Sequence, residues 1–131
     1  MIVVDASVVV TALADDGRDG DRARRRLRQE HLLVAPHLID VEVASAWRRL
    51  AMAGMLDERR AAFALADLLE VRIERVPHTS LLARCCELRA NLTIYDAVYV
   101  ALAEGLHTNV LTADRRLAES PGPRCEIELL G

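Results

Sequence analysis

The sequence predicts an α/β fold in which helices cover both faces of a mainly parallel sheet. Two observations predict it. Short apolar runs, rich in β-branched residues and without alternation, recur along the chain, and segments of helical period separate them. Strands of that kind are buried on both faces, the condition of a parallel sheet between helix layers. A third observation is size: 131 residues, 52% of them hydrophobic, suit one domain, 1–131, with a sizeable core.

The elements follow in order. Ile2-Val3-Val4 reads as a first buried strand that delivers Asp5 at its end. Asp5 and Ser7 are cap candidates for a helix over residues 8–14, and residues 15–20 form a polar turn. Residues 21–30 are helical, opening on an acid and rich in arginine further on, as the helix dipole prefers. A second strand covers 32–35 and is closed by Pro36. Residues 38–52 carry an apolar stripe of Ile39, Val43, Ala46, Trp47 and Leu50, with Gly54 as the stop. A helix starting near Asp57 carries Ala61, Ala62, Leu65, Leu68 and Leu69. Residues 73–76 are a strand ended by Pro77, and Thr79 or Ser80 opens a helix to about Leu88. Thr93 caps a helix over 94–103 that closes at Gly105. Val110-Leu111-Thr112 is a strand, a short helix starts at Arg115, and a last strand covers 127–130.

Composition excludes several functions. All 17 basic residues are arginine, against 20 acids, for a net charge of −3. Without a lysine there is no P-loop and no Schiff base. The same absence removes receiver-type phospho-acceptors and haloacid-dehalogenase-like phosphatases. The 3 cysteines include no C-x-x-C and read as free thiols, and the 4 histidines lack ligand spacing. Aromatic residues, at 3%, are too few for base-stacking platforms of the RRM or OB type. No apolar run reaches the roughly 18 residues of a membrane helix, and the start lacks the basic region of a signal peptide, so the expected location is cytoplasmic with no membrane partner.

Four acids stand where acids are unexpected. Asp96 lies in a helix apolar on nearly every side, and a lone buried carboxylate costs several kcal/mol, or shifts its pKa, unless something compensates it. The bland alternative is a core Asp held by an arginine or capping the helix. Asp5 and Asp114 each follow a strand directly, where ligands bind in doubly wound sheets, although each is also a helix-cap candidate. Glu42 and Asp40 flank the stripe of the 38–52 helix on either side, and the helical wheel does not choose between them. Carboxylates crowded together call for a divalent cation, and oxygen donors without a His or Cys cluster favour Mg²⁺ or Mn²⁺.

The segments Ile2 to Ser7, Pro36 through Glu42 to Arg48, Tyr95 to Ala103 and Leu111 to Leu117 together resemble the PIN domain, and more narrowly the VapC-type toxins of bacterial toxin–antitoxin pairs. The likeness spans essentially the whole chain. It implies a three-layer α/β/α sandwich and a magnesium-dependent endoribonuclease whose acidic quartet is Asp5, Glu42, Asp96 and Asp114. This is what selects Glu42 over Asp40. Ser7 and Thr112 would orient the carboxylates. A metal-activated water would attack the RNA phosphodiester in line, leaving 5′-phosphate and 3′-hydroxyl ends. Arg115 and Arg116, beside the quartet, are candidates for RNA contact; the arginines of residues 22–28 read as a solvated face, and Trp47 as core. The resemblance further implies a cognate VapB-type antitoxin whose tail crosses the groove, a homodimer, a toxin–antitoxin hetero-oligomer, and DNA contact only through the antitoxin. The competing reading is a catalytically silent PIN-like module that binds RNA or protein.

Overall fold

The computed structural model describes residues 1–131. Its strands are β1 (Ile2–Val4), β2 (Leu33–Pro36), β3 (Glu74–Val76), β4 (Val110–Thr112) and β5 (Ile127–Leu129). They form one sheet in the order β3-β2-β1-β4-β5, and every pairing is parallel.

The connections place the helices. From β1 the chain steps outward through α1 (Ala6–Ala14) and α2 (Arg18–Leu27) to β2, then through α3 (Leu38–Met52) and α4 (Glu58–Glu70) to the edge strand β3. It returns past the centre through a 3₁₀ turn (Thr79–Leu81), α5 (Leu82–Glu87) and α6 (Ile94–Leu106) to β4, and α7 (Arg115–Ala118) leads to β5. Parallel crossovers are right-handed, so reversing the direction of travel puts α5 to α7 on the face opposite α1 to α4. The packing agrees: α1 lies against α2, α3 and α4, and α6 against α5, β1 and β2. The result is the α/β/α sandwich the sequence predicts, with a sheet that is parallel throughout. No helix is long and apolar enough to cross a membrane.

The main core joins both layers through Val3, Val4, Val8, Ile39, Val43, Tyr99 and Leu111. A smaller cluster of Cys85, Val98, Val100 and Leu117 lies among α5, α6 and α7. Trp47 is core, 3% exposed, and its indole N–H donates to the Val10 carbonyl at 3.2 Å. The cysteines are free thiols.

Most elements fall where the sequence puts them, and the exceptions have local causes. The second helix starts at Arg18 rather than at Asp21, because Gly20 is not a turn residue. It is a close-approach point, where a Cβ would meet the Asp15 carbonyl oxygen at 1.7 Å. At the end of α6 Gly105 stays helical and is surrounded by open space, while His107 takes the left-handed conformation, φ 55°. Asp57 caps α4 as expected, accepting from the Arg59 and Arg60 amides at 2.8 and 3.2 Å. Thr93 caps α6 by accepting from the Asp96 amide at 3.1 Å.

Candidate functional site

Strand order reverses between β1 and β4, and the crevice beyond their carboxyl ends is where open parallel sheets bind ligands. Asp5 and Thr112, the only buried polar or charged residues of the chain, sit there. Asp5 has the extended backbone of a helix N-cap, but its side chain caps nothing. Its Oδ2 accepts instead from Ser7 Oγ at 2.5 Å and from Thr112 Oγ1 at 2.8 Å. Those hydroxyls, 3.3 Å apart, accept in turn from the backbone: Ser7 Oγ from the Ala113 amide at 2.9 Å and Thr112 Oγ1 from the Asp114 amide at 3.0 Å. One polar chain thus locks the end of β1 to the end of β4. Ser7 and Thr112 hydrogen-bond Asp5, the carboxylate that the resemblance has them orient.

The other acids reach the same rim from different layers. Asp96 enters from the first turn of α6, its side chain 18% exposed. Asp114 caps α7, accepting from the Arg116 amide at 2.9 Å, so its alternative role as a cap is realised. The Arg116 guanidinium lies between the two, 3.2 Å from Asp96 and 3.3 Å from Asp114. Glu42 comes from α3 on the opposite face, and Tyr99 of α6 donates its hydroxyl to Glu42 Oε1 at 2.8 Å, bridging both layers over the rim. Asp40, its rival on the helical wheel, faces away and is held by the Arg75 guanidinium at 2.9 Å. Asp40 is a structural acid, and Glu42 the one that faces the crevice.

The charges at the rim are under-compensated. Burial, and then the charges of Asp5 and Asp96, push Glu42 up to about 7 against the Tyr99 hydrogen bond. Burial raises Asp5 despite the Ser7 and Thr112 hydroxyls that favour its ionised form. Burial and the Asp5 charge raise Asp96, although Arg116 pulls the other way. Tyr99 is held far above its ordinary value by burial and by Glu42, so the phenol remains a donor.

That deficit of positive charge, with donors that are all carboxylate oxygens, fits a hard divalent cation. No three of the acids converge on one ligating point as they stand. An ion there would need side-chain rotation, and Arg116, its side chain 68% exposed, is paired with both Asp96 and Asp114 in this arrangement.

Tyr99 has no role in the sequence reading. The available signal is its i, i+3 spacing from Asp96 on α6, which puts them on one face. The arginines of α2 divide. Arg24 binds the Ala12 and Asp15 carbonyls at 2.7 and 2.8 Å, and Arg26 pairs with Glu30 and Glu128. Arg22, Arg25 and Arg28 are exposed.

Comparison with known proteins gives a consistent answer. Residues 2–122 match the family model of the PIN domain. A VapC ribonuclease of Mycobacterium bovis is 43% identical over 130 residues, which cover 99% of this chain and 98% of that one. Among solved structures, a crystal structure from Pyrobaculum aerophilum is similar with a TM-score of 0.70 at 26% identity, over 97% of this chain and 82% of the other. A toxin–antitoxin complex from Klebsiella pneumoniae has the same fold, with a TM-score of 0.62 at 18% identity, over 92% and 93% of the two chains.

Proposed function

The chain belongs to the PIN-domain family, within its VapC ribonuclease group, and from that premise we propose that it is the endoribonuclease toxin of a toxin–antitoxin pair working through Asp5, Glu42, Asp96 and Asp114. The observation that carries the reading is the position of these acids. Two strand ends and two helices from opposite layers bring them to the one reversal point of the sheet, with Asp5 and Thr112 its only buried polar residues.

Asp5, Glu42 and Asp96 would hold Mg²⁺ or Mn²⁺, with Asp114 completing the set after Arg116 leaves. Such an ion, when bound, lowers the pKa of a water and stabilises the charge that develops on a phosphoryl oxygen. The chain's own residues do the remainder. Ser7 and Thr112 fix the orientation of the Asp5 carboxylate. Tyr99 fixes Glu42, whose carboxylate would help take a proton from the attacking water. Arg116, freed from Asp96 and Asp114, and exposed Arg115 beside it are placed to meet the RNA phosphates. Because water rather than the ribose 2′-hydroxyl attacks, the products carry 5′-phosphate and 3′-hydroxyl ends.

The partners follow from the group. A VapB-type antitoxin inhibits the enzyme by covering the rim, in a hetero-oligomer built on a toxin homodimer, and DNA is reached only through the antitoxin. The fold shared with the Klebsiella pneumoniae complex supports this reading.

The test is cleavage of tRNA, rRNA and mRNA by the purified chain with Mg²⁺ and with EDTA, using Asp5→Asn and Asp96→Asn as controls. Cutting that requires metal and both acids is the expected result. Products with 2′,3′-cyclic phosphate, or no metal-dependent cutting, would overturn it.

A further inference from the structure

A groove adjoins the catalytic rim, and of its lining residues only Glu42 has a role above. It encloses about 390 Å³ and is lined by Leu38, Val41, Glu42, Ser45 and Arg49 of α3, with Tyr95 of α6 as the far wall. The α3 residues recur at helical spacing and form one face running away from Glu42. Three features set it apart from a patch of ordinary surface. Tyr95 is 62% exposed and Val41 70%, so an aromatic ring and an aliphatic side chain both stand open to solvent. Arg49 has no carboxylate within ion-pair reach, and its one side-chain hydrogen bond is to Ser45 Oγ at 3.0 Å. Glu42, a member of the acidic quartet, belongs to both the groove and the rim, so the two are continuous.

The contents point to one kind of occupant. An exposed aromatic ring beside an apolar wall offers a base a stacking surface, and a free guanidinium offers a phosphate its counter-charge. Arg49 stands seven residues beyond Glu42 on α3, but its guanidinium folds back to Ser45 and acts on the Glu42 charge, so the positive end of the groove adjoins the cutting site. Resting on the ribonuclease reading above, we propose that this groove holds an unpaired nucleotide of the RNA substrate next to the scissile phosphate. Tyr95 stacks on its base and biases which base flanks the cut, while Arg49 binds its phosphate and adds affinity without base preference.

The experiment is steady-state cleavage of single-stranded RNA oligonucleotides that differ only in the bases flanking the cut, with Tyr95→Ala, Tyr95→Phe and Arg49→Gln. Tyr95→Ala should raise KM by about tenfold, within the range for loss of one stacking partner, leave kcat within about twofold, and flatten the base preference. Tyr95→Phe keeps the ring and should restore both. Arg49→Gln should raise KM and weaken its salt dependence without changing base preference. In parallel, the affinity of inactive Asp5→Asn protein for the preferred oligonucleotide is compared with that of Asp5→Asn/Tyr95→Ala, where a loss of the same size is expected. An unchanged KM and base preference in an enzyme that still cuts would overturn this inference and leave the ribonuclease reading intact. An unmutated chain that cuts no RNA would overturn both.

Discussion

Helix α6 carries two half-buried acids that meet opposite fates. Asp96, in its first turn, has a side chain 18% exposed, and Glu104, eight residues on, one 13% exposed. Glu104 is saturated with donors: Arg84 binds it at 2.7 and 3.1 Å, and the Arg124 amide adds a third bond at 2.7 Å. Burial pushes its pKa up, but these donors outweigh it and the carboxyl ends below its usual range. Asp96 sits at the helix end whose dipole favours a negative charge. Its pKa is nevertheless raised, because burial and the Asp5 charge exceed what Arg116 returns, and that arginine is shared with Asp114. Side-chain exposure is nearly equal in the two places, so exposure alone does not separate a structural acid from a functional one. The balance of donors against neighbouring acids does.

The largest effect should come from exchanging each acid for its amide. Asp96→Asn removes a carboxylate from the rim and should lower RNA cleavage on the order of a thousandfold, beyond the ten- to hundredfold typical of residues that only orient ligands. Glu104→Gln should leave cleavage within about twofold and act on stability instead. Thermal melts and cleavage rates on both variants check this, and equal losses of activity would break the contrast. Thr112→Val comes next. It deletes a 2.8 Å donor to Asp5 at nearly constant volume, and should reduce cleavage by about ten- to hundredfold while the fold survives.

How much of this contrast is legible in sequence differs between the ends of the helix. Thr93 as cap, Asp96 as an odd acid in an apolar helix, and Asp5 and Asp114 behind strands can all be read from local pattern. That pattern depends on neighbours one to four residues away. Asp40 against Glu42 cannot be read in that way, because the choice is made by Arg75, 35 residues from Asp40, and by Tyr99, 57 residues from Glu42. Glu104 likewise owes its structural role to Arg84 and Arg124, which tertiary folding brings to it. The helix-start error at Gly20 has the same origin: its lack of a side chain serves the approach of the Asp15 carbonyl rather than a turn.

Removing the partner instead of the acid tests the other end. Arg84→Ala leaves Glu104 with the Arg124 amide alone and should cost about 1–3 kcal/mol of stability. Urea unfolding measures it, and cleavage by the folded protein should be nearly unaffected. A destabilisation below about 0.5 kcal/mol would mean that the pair is an ordinary surface salt bridge, and Glu104 would no longer serve as the saturated reference.

The smallest expected effect separates the two ends by the sign of their pH dependence. Glu42 titrates near 7 in the folded chain against 4.5 for the free side chain, so the folded state holds a proton that the unfolded state has already released. Between those values the metal-free protein therefore loses stability as pH rises, and Asp5 and Asp96 act in the same direction. For a half-buried group the loss should be about 1–2 kcal/mol between pH 5 and pH 8. Glu104 behaves oppositely: its depressed pKa contributes stability above the ordinary carboxyl range, which disappears as pH falls through the folded value. Melting curves in EDTA should thus show Glu42→Gln flattening the alkaline side and Glu104→Gln flattening the acid side. Mg²⁺ added at pH 8 should restore what deprotonation of the rim removed, since the ion supplies the positive charge that the protons had provided. If Glu42→Gln leaves the alkaline slope unchanged, the rim is adequately compensated by Arg116 alone, and the need for a cation inferred from its electrostatics disappears.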